Sequence, residues 1–139
     1  MNYKRLALSA LVSTVTLFIG EIAFIAIMGS RLMAARSAAG LPDFVPQPLL
    51  SIAEMVLTGT FIAWLYVSIR PRYGAGLGTA VIAGIGAWGG LVLLSTIHTM
   101  GEGFGLPVPL LLTVAIVVLP VFVFASVAGA WFYKEQAFS

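Results

Sequence analysis

The chain has 139 residues, of which 60% are hydrophobic and 9% charged, with a net charge of +2. An ordinary soluble domain carries about 25% charged residues and, at this size, buries only about two-thirds of its surface, so the composition excludes that class. No cysteine is present, which excludes disulfides, thiolate metal sites and cysteine nucleophiles.

Four apolar segments are long enough to be membrane helices, because about 20 apolar residues cross ~30 Å of hydrocarbon. They are predicted at about 6–28, 48–69, 74–100 and 107–133. The first is longer than the apolar core of a signal peptide, about 7–15 residues, so we expect a retained helix. Short loops make sequential helices antiparallel neighbours. We predict an all-α, single-domain membrane protein, an up-down antiparallel bundle of four transmembrane helices.

The longest connection is an outer loop, predicted at 29–47. Its first half, residues 30–39, holds good helix formers and stops at Gly40, so it either prolongs the first helix or lies on the membrane surface. Its second half, residues 41–48, is predicted to be extended, because residues that precede proline avoid the helical region.

The basic residues predict the orientation of the chain. Five lie at one end of the predicted spans and two at the other: Lys4, Arg5, Arg70, Arg72 and Lys134 against Arg31 and Arg36. Because cytoplasmic loops hold the excess of Lys and Arg, both termini are predicted to be cytoplasmic. The basic excess is thus a topology signal, and no nucleic-acid partner is expected.

Aromatic residues collect near the same cytoplasmic ends, where their rings favour the membrane interface. They are Tyr3, Trp64, Tyr66, Tyr73, Trp131 and Tyr133. Six residues are expected to anchor the helices at the membrane interface, or to contact lipid headgroups or a partner. This set is Arg31, Arg36, Arg70, Arg72, Trp64 and Trp131.

Small residues predict close helix packing, which matters in lipid because apolar side chains gain little from leaving it. The third span holds seven of the fifteen glycines. Gly76, Ala80 and Gly84 recur every four residues, and Gly86 and Gly90 form a Gly-x-x-x-Gly pair. A second seam on the first span comprises Ser9, Ser13, Thr16, Gly20 and Ala23. Either the third helix packs on its own neighbours, or a glycine row faces another protein or a flat cofactor ring.

Ionisable and hydroxyl side chains gather in the outer half of the predicted bundle, where ionisable groups usually face protein or water. Glu21 lies in the first span. Ser51, Glu54 and Thr58 share one face of the second, and Ser95, His98, Thr99 and Glu102 share one face of the third. These eight residues form the candidate polar cluster.

Three interpretations of the polar cluster remain open. It can be structural, with the carboxyls protonated or hydrogen-bonded to Ser and Thr, so that they hold the helices together at about 0.5–2 kcal/mol per contact. It can line a water-filled site for protons, ions or a small solute. It can bind metal through His98 with Glu102, Glu54 or Glu21, although catalytic zinc normally takes three protein ligands and this chain has one histidine. No metal, cofactor or catalytic residue is assigned. Phosphate loops, nucleophile elbows and His-Glu-x-x-His motifs do not occur.

The stretch Gly59-Thr-Phe-Ile-Ala-Trp-Leu-Tyr66 is followed by Arg70-Pro-Arg-Tyr-Gly-Ala-Gly-Leu-Gly-Thr-Ala80. With its glycine-rich third helix, this half of the chain resembles small four-helix bacterial membrane proteins of uncharacterised function. The resemblance implies a bacterial inner (cytoplasmic) membrane and no particular activity.

The function that we expect is that of a non-catalytic accessory subunit, packed against a larger membrane complex. The chain has no sizeable extramembrane domain, and its polar residues do not cross the full membrane depth. Membrane lipids and other integral membrane subunits are the expected partners. Respiratory or photosynthetic electron-transfer complexes are the first candidates for the larger complex. The alternative is a small transporter or ion- or proton-conducting protein that uses Glu21, Glu54, His98 and Glu102, which would have to oligomerise.

Overall fold

The computed structural model describes residues 2–42, 45–103 and 105–133. Within these ranges the chain is helical, with no strand. Four helices are long and apolar enough to cross a membrane: Tyr3–Ala38, Pro48–Tyr73, Leu77–Glu102 and Val108–Phe132. The predicted all-α class with four membrane-capable helices is therefore confirmed, and these helices indicate a multi-pass membrane protein.

Three of the spans are continuous α-helices, and the third is interrupted. The continuous ones are α1 (Tyr3–Ala38), α2 (Pro48–Tyr73) and α5 (Val108–Phe132). The third span consists of α3 (Leu77–Trp88), a π-helical segment (Gly89–Leu93) and α4 (Leu94–Glu102). Two adjacent glycines open the π-helical segment, and glycine weakens a regular helix by about 1 kcal/mol relative to alanine. Such single wide turns change the direction and register of the residues that follow.

Helix ends follow from capping residues. The Asn2 side chain accepts a hydrogen bond from the Arg5 backbone N–H at 3.2 Å, which starts α1. Glycine follows the ends of α1, α2 and α4 at Gly40, Gly74 and Gly103, with φ of 66°, 83° and 67°. Residues that have a Cβ atom are strained at these angles. Glycine therefore allows the chain to leave each helix.

The first helix is longer than the predicted span. Its 36 residues correspond to about 54 Å at the helical rise of 1.5 Å per residue. The segment 29–38 therefore prolongs α1, and the connection to α2 is 39–47 rather than the whole predicted loop of 29–47. The physical reason is the run of good helix formers that continues until Gly40.

Each span contacts two main neighbours. The α1 helix packs on α2 and α5, α3 also packs on α2 and α5, and a smaller contact joins α2 to α5. One buried cluster lies midway along the bundle and comprises Leu17, Ile62, Ala87, Phe122 and Ala125. A second lies near the chain termini and comprises Tyr66, Val67, Ala80, Ala83 and Tyr133.

Three helix pairs meet at a glycine. A Cβ atom on Gly59 would lie 2.7 Å from the Thr14 backbone nitrogen, and one on Gly84 would lie 2.8 Å from Val123 Cα. A Cβ atom on Gly129 would lie 3.0 Å from the Ser9 carbonyl oxygen. These separations leave no room for a side chain, so glycine lets α1 approach α2 and α5, and lets α3 approach α5.

The predicted small-residue row on the third span is divided by the fold. Ala80 and Gly84 are buried against α5. Gly76 precedes α3, and Cβ atoms built on Gly76 and Gly90 would meet no atom within 4 Å. A Cβ atom built on Gly86 would lie 3.4 Å from the Leu65 side chain of α2. This set therefore combines packing positions inside the bundle with positions beside open space.

Interhelical hydrogen bonds join side chains to backbone carbonyl oxygens, and one of them runs from Thr14 Oγ1 on α1 to Met55 on α2 at 3.5 Å. Ser13 Oγ donates to Ala125 at 3.0 Å, and Ser126 Oγ donates to Ala80 at 2.7 Å. Trp88 Nε1 donates to Ala115 at 2.8 Å. Such bonds average about 0.6 kcal/mol in membrane helices, so they supplement the packing of the small residues.

Candidate functional site

A cavity of about 220 Å³ lies between three of the four spans. Its lining comprises Leu17, Gly20, Glu21 and Phe24 from α1, Glu54, Met55 and Thr58 from α2, and Val114, Val118, Val121 and Phe122 from α5. The third span contributes no residue to this lining, so the cavity has three helical walls. We call it the carboxylate cavity, because Glu21 and Glu54 are its two ionisable residues.

The helices place the two glutamates at one depth. Glu54 is six residues beyond Pro48, about 9 Å along α2 at the helical rise, and Thr58 follows one turn later. On α1, Gly20 lies directly against the Val121 side chain of α5, and Glu21 is the next residue. Because α1 approaches α5 closely at Gly20, the next residue, Glu21, lies in the α1 wall of the cavity, which faces Glu54 on α2.

The two carboxyl groups have no compensating partner within the described residues. Both side chains are exposed. No hydrogen bond or ion pair joins either of them to another described side chain or to the backbone. They are close enough to interact electrostatically with each other, and the interaction between like charges is repulsive. Because an ionised carboxylate at membrane depth is costly, these groups are either protonated or surrounded by water, a ligand or another chain.

The structure divides the predicted polar cluster in two. Glu21, Glu54 and Thr58 line the carboxylate cavity. Four others, Ser95, His98, Thr99 and Glu102, lie on α4, which packs along α5 and makes no substantial contact with α1 or α2. His98 and Glu102 on α4 are exposed and lie outside the cavity lining. The physical reason is that α4 diverges from α2 beyond the π-helical segment. The positions of these residues along the sequence do not reveal this divergence.

The remaining hydroxyl groups of the cluster bond within their own helices. Ser51 donates to the Gln47 carbonyl at 3.2 Å, Ser95 to Val92 at 2.9 Å and Thr99 to Ser95 at 2.8 Å. A hydroxyl that is satisfied by its own preceding turn forms no bridge to a neighbouring helix. Interhelical bonds come instead from other residues, which include Ser13, Thr14, Trp88 and Ser126. Of these four, only Ser13 lay in a predicted seam.

The described residues do not assemble a metal site. Within residues 2–42, 45–103 and 105–133, no three His, Asp or Glu side chains lie close enough together to hold one ion. His98 is separated from Glu21 and Glu54 by the divergence of α4. The arrangement therefore lacks the three protein ligands that a catalytic zinc ion normally requires.

Basic and aromatic residues meet at the end of the bundle that contains the N-terminus of α1 and the C-terminus of α5. The Asn2 backbone N–H donates to the Tyr133 hydroxyl at 3.3 Å. The Arg70 guanidinium lies 5.4 Å from the centroid of the Tyr133 ring, which packs edge-on against Tyr66. Tyr66 and Tyr133 are 3% and 2% exposed, so both rings are buried within the bundle at this end.

The other predicted anchoring residues take different positions. Arg72 and Arg31 are exposed, and Arg36 donates to the Pro42 carbonyl oxygen at 2.8 Å, which holds the end of α1 against the following loop. Trp131 is 71% exposed, and Trp64 is half-exposed and stacked on Phe61 with ring centroids 5.9 Å apart. Lys134 lies outside the described residues.

No family model matches this chain, and neither a curated protein nor a solved structure matches it. Function is therefore argued from the chain's own residues.

Proposed function

We propose that the protein is a non-catalytic accessory subunit that packs against a larger membrane protein complex. The observation that carries the proposal is the carboxylate cavity. Glu21 and Glu54 are exposed at membrane depth, and within the described residues neither has an ion pair or hydrogen bond. A partner helix that supplied a cationic or hydrogen-bonding side chain at this depth would remove the cost of leaving them uncompensated in lipid.

The shape of the bundle supports the same function. The third span gives the carboxylate cavity no wall, and α4 leaves the outer half of α2 largely uncovered. Leu49, Leu50 and Leu57 of α2 are 81%, 68% and 70% exposed. The exposed leucines can face lipid, but the polar wall beside them cannot. The partner therefore docks along α2, with Gly90 of the third span, which is beside open space, as a second point where a helix can approach closely.

The membrane topology that we propose is an up-down antiparallel bundle with both termini in the cytoplasm, in a bacterial inner membrane. Contacts between α1 and α5 run in opposite chain order, with Ser9 near Gly129 and Gly20 near Val121. Arg70 lies at the same end as Asn2 and Tyr133. The excess of positive charge at this end favours a cytoplasmic location. Electron-transfer complexes are the first class of partner to test.

A second candidate is a small transporter or a conducting protein for ions or protons. The carboxylate cavity supports this candidate because about 220 Å³ is enough space for several waters or a small cation. The two interpretations differ in what surrounds Glu21 and Glu54: another protein in the first, and water with a transported solute in the second.

The test is to tag the C-terminus, extract the native membrane in a mild detergent and identify the co-migrating proteins by mass spectrometry. We expect stoichiometric recovery with a larger membrane complex, and loss of that complex in a Glu21→Gln/Glu54→Gln double variant. Glu102→Gln is the matched control, because Glu102 is also exposed but lies outside the cavity. Recovery of the chain alone or as a homo-oligomer, together with flux that requires Glu21 and Glu54, would replace the subunit proposal with the transporter.

A further inference from the structure

The carboxylate cavity has a polar side and an apolar side. Glu21 on α1, with Glu54 and Thr58 on α2, supplies its polar groups. A mostly apolar cavity with a few convergent polar groups is the usual form of a small-molecule site. The glutamates alone would not define a ligand, so the apolar side decides what the cavity fits. The described residues of α5 that line it are all apolar: Val114, Val118, Val121 and Phe122.

The polar side has no counter-charge of its own among the described residues. Glu21 and Glu54 are close enough to repel each other, and neither they nor the Thr58 hydroxyl make an ion pair or hydrogen bond within the described ranges. No described basic residue lines the cavity. Arg31 is the closest of them to Glu21 along α1, about 15 Å away at the helical rise. A cation between the two carboxylates would therefore replace one repulsion with two attractions.

The apolar side includes two aromatic rings. Phe24 lies one helical turn beyond Glu21 on α1, and Phe122, which is 7% exposed, belongs to the buried cluster midway along the bundle. Aromatic rings attract organic ammonium groups that lie over their faces, and the Met55 thioether adds a polarisable contact. An organic cation would therefore gain contacts in this cavity that a bare inorganic ion cannot make.

The size of the cavity limits the ligand further. Its volume is about 220 Å³, and a cavity of about 150 Å³ is sufficient for one benzene molecule. The space therefore fits one benzene-sized group with a short ammonium head. Hard inorganic cations such as calcium take about six to eight oxygen ligands, whereas the described lining offers two carboxylates and one hydroxyl. Volume and wall chemistry together favour a small organic cation.

We propose that the carboxylate cavity binds one small aryl-alkyl ammonium cation. The ammonium group lies between Glu21 and Glu54, and the aryl group packs against the apolar side. Both glutamates are exposed, and α4 leaves the outer half of α2 largely uncovered, so the ligand enters without separating the bundle. The inference rests on the proposed function of the same cavity, for which it names the class of solute in the transporter candidate, but it requires no partner subunit.

The test is isothermal titration calorimetry on the full-length chain in a nonionic detergent, with benzyltrimethylammonium as the probe. We expect one bound cation per chain, with a Kd below about 1 mM. Tetramethylammonium keeps the charge without the aryl group, and benzyl alcohol keeps the aryl group without the charge. Each should bind at least about tenfold more weakly, because each loses one of the two sets of contacts.

Charge variants test the polar side. Glu21→Gln and Glu54→Gln should each weaken benzyltrimethylammonium binding by about tenfold, because each removes one of the two attractions. Glu102→Gln is the matched control and should leave the Kd unchanged, since Glu102 is exposed but does not line the cavity.

Aromatic variants test the apolar side. Phe24→Leu keeps an apolar side chain but removes the ring, and it should weaken binding by about two- to fivefold. Phe124→Leu is its control, because Phe124 is 67% exposed and lies outside the cavity lining.

A further variant blocks the cavity without changing its charge. Val114 is partly buried and lines the cavity, so the larger ring of Val114→Phe occupies space that the ligand needs. We expect it to abolish binding, with an unchanged circular dichroism spectrum and an unchanged elution volume on size exclusion.

Four results would overturn the cation site. The folded wild-type chain could fail to bind benzyltrimethylammonium at millimolar concentration, or it could bind tetramethylammonium equally well. Glu102→Gln could weaken binding as much as Glu54→Gln does, which would mean diffuse surface attraction. Sodium or calcium could bind stoichiometrically and displace the probe, which would assign the cavity to an inorganic cation. None of these results decides the subunit proposal, because that proposal is tested by co-purification from the native membrane.

Discussion

The backbone nitrogen of Asn2 lies 3.3 Å from the hydroxyl oxygen of Tyr133, a hydrogen bond between residues 131 positions apart. It joins the start of α1 to the end of α5 and brings Asn2 and Tyr133 to the end of the bundle that contains Arg70. Described basic residues from two parts of the sequence, Lys4 with Arg5 and Arg70 with Arg72, thereby share one end of the bundle, while the carboxylate cavity lies toward the other. This separation of charge underlies the proposed topology.

The topology can be tested with single cysteines, because the natural chain contains none. Ser37→Cys, near the end of α1, should react with a membrane-impermeant maleimide in intact cells. Ala75→Cys, between α2 and α3, should react only after the membrane is permeabilised. The opposite pattern would reverse the orientation, and labelling of both positions in intact cells would contradict a single topology.

Gly59→Ala should destabilise the bundle. The added Cβ would lie 2.7 and 2.9 Å from the backbone nitrogen and Cα of Thr14, and backbone atoms cannot rotate aside as a side chain can. Separation of α1 from α2 should lower the free energy of unfolding by about 1–3 kcal/mol, measured by denaturation in detergent. Gly78→Ala is the control, since its Cβ would meet no atom within 4 Å. Equal losses from both substitutions would show that α1 and α2 do not cross closely at Gly59.

Ser126→Ala tests the buried bond between α5 and α3. It removes a 2.7 Å hydrogen bond to the Ala80 carbonyl oxygen and should reduce stability by about 0.6–1.7 kcal/mol. Thr113→Ala is the comparison, because the exposed Thr113 hydroxyl bonds to the Pro109 carbonyl within its own helix. Its effect should stay within about 0.5 kcal/mol. If the two variants have the same stability, the interhelical bond makes no net contribution to the free energy of unfolding.

Glu21→Gln and Glu54→Gln should leave the stability of the isolated chain in detergent within about 0.5 kcal/mol of the wild type or raise it. Each substitution removes a charge that has no described partner and repels the other carboxylate. Thermal unfolding followed by circular dichroism would measure this. A clear loss of stability in either variant would support the structural interpretation, in which the carboxyls hold helices together.

The sequence predicted the membrane class, the approximate spans and the end at which basic residues gather. These properties are local, because a bilayer selects helices by length and hydrophobicity and a helix satisfies its own backbone. The extension of α1 through residues 29–38 was one of two alternatives, since the same helix formers can lie on a membrane surface. The interruption at Gly89–Leu93 was not predicted, because paired glycines are also common in regular membrane helices.

Only the tertiary structure decided which small and polar residues meet. Gly59 and Gly129 are at helix crossings, although the sequence analysis predicted close packing mainly on the third span. His98 is separated from Glu21, although both were predicted to lie in the same half of the bundle. Facing residues depend on the rotation of each helix about its axis and on the divergence of α4. Neither is determined by the sequence of one helix, because both follow from the packing of whole surfaces against their neighbours.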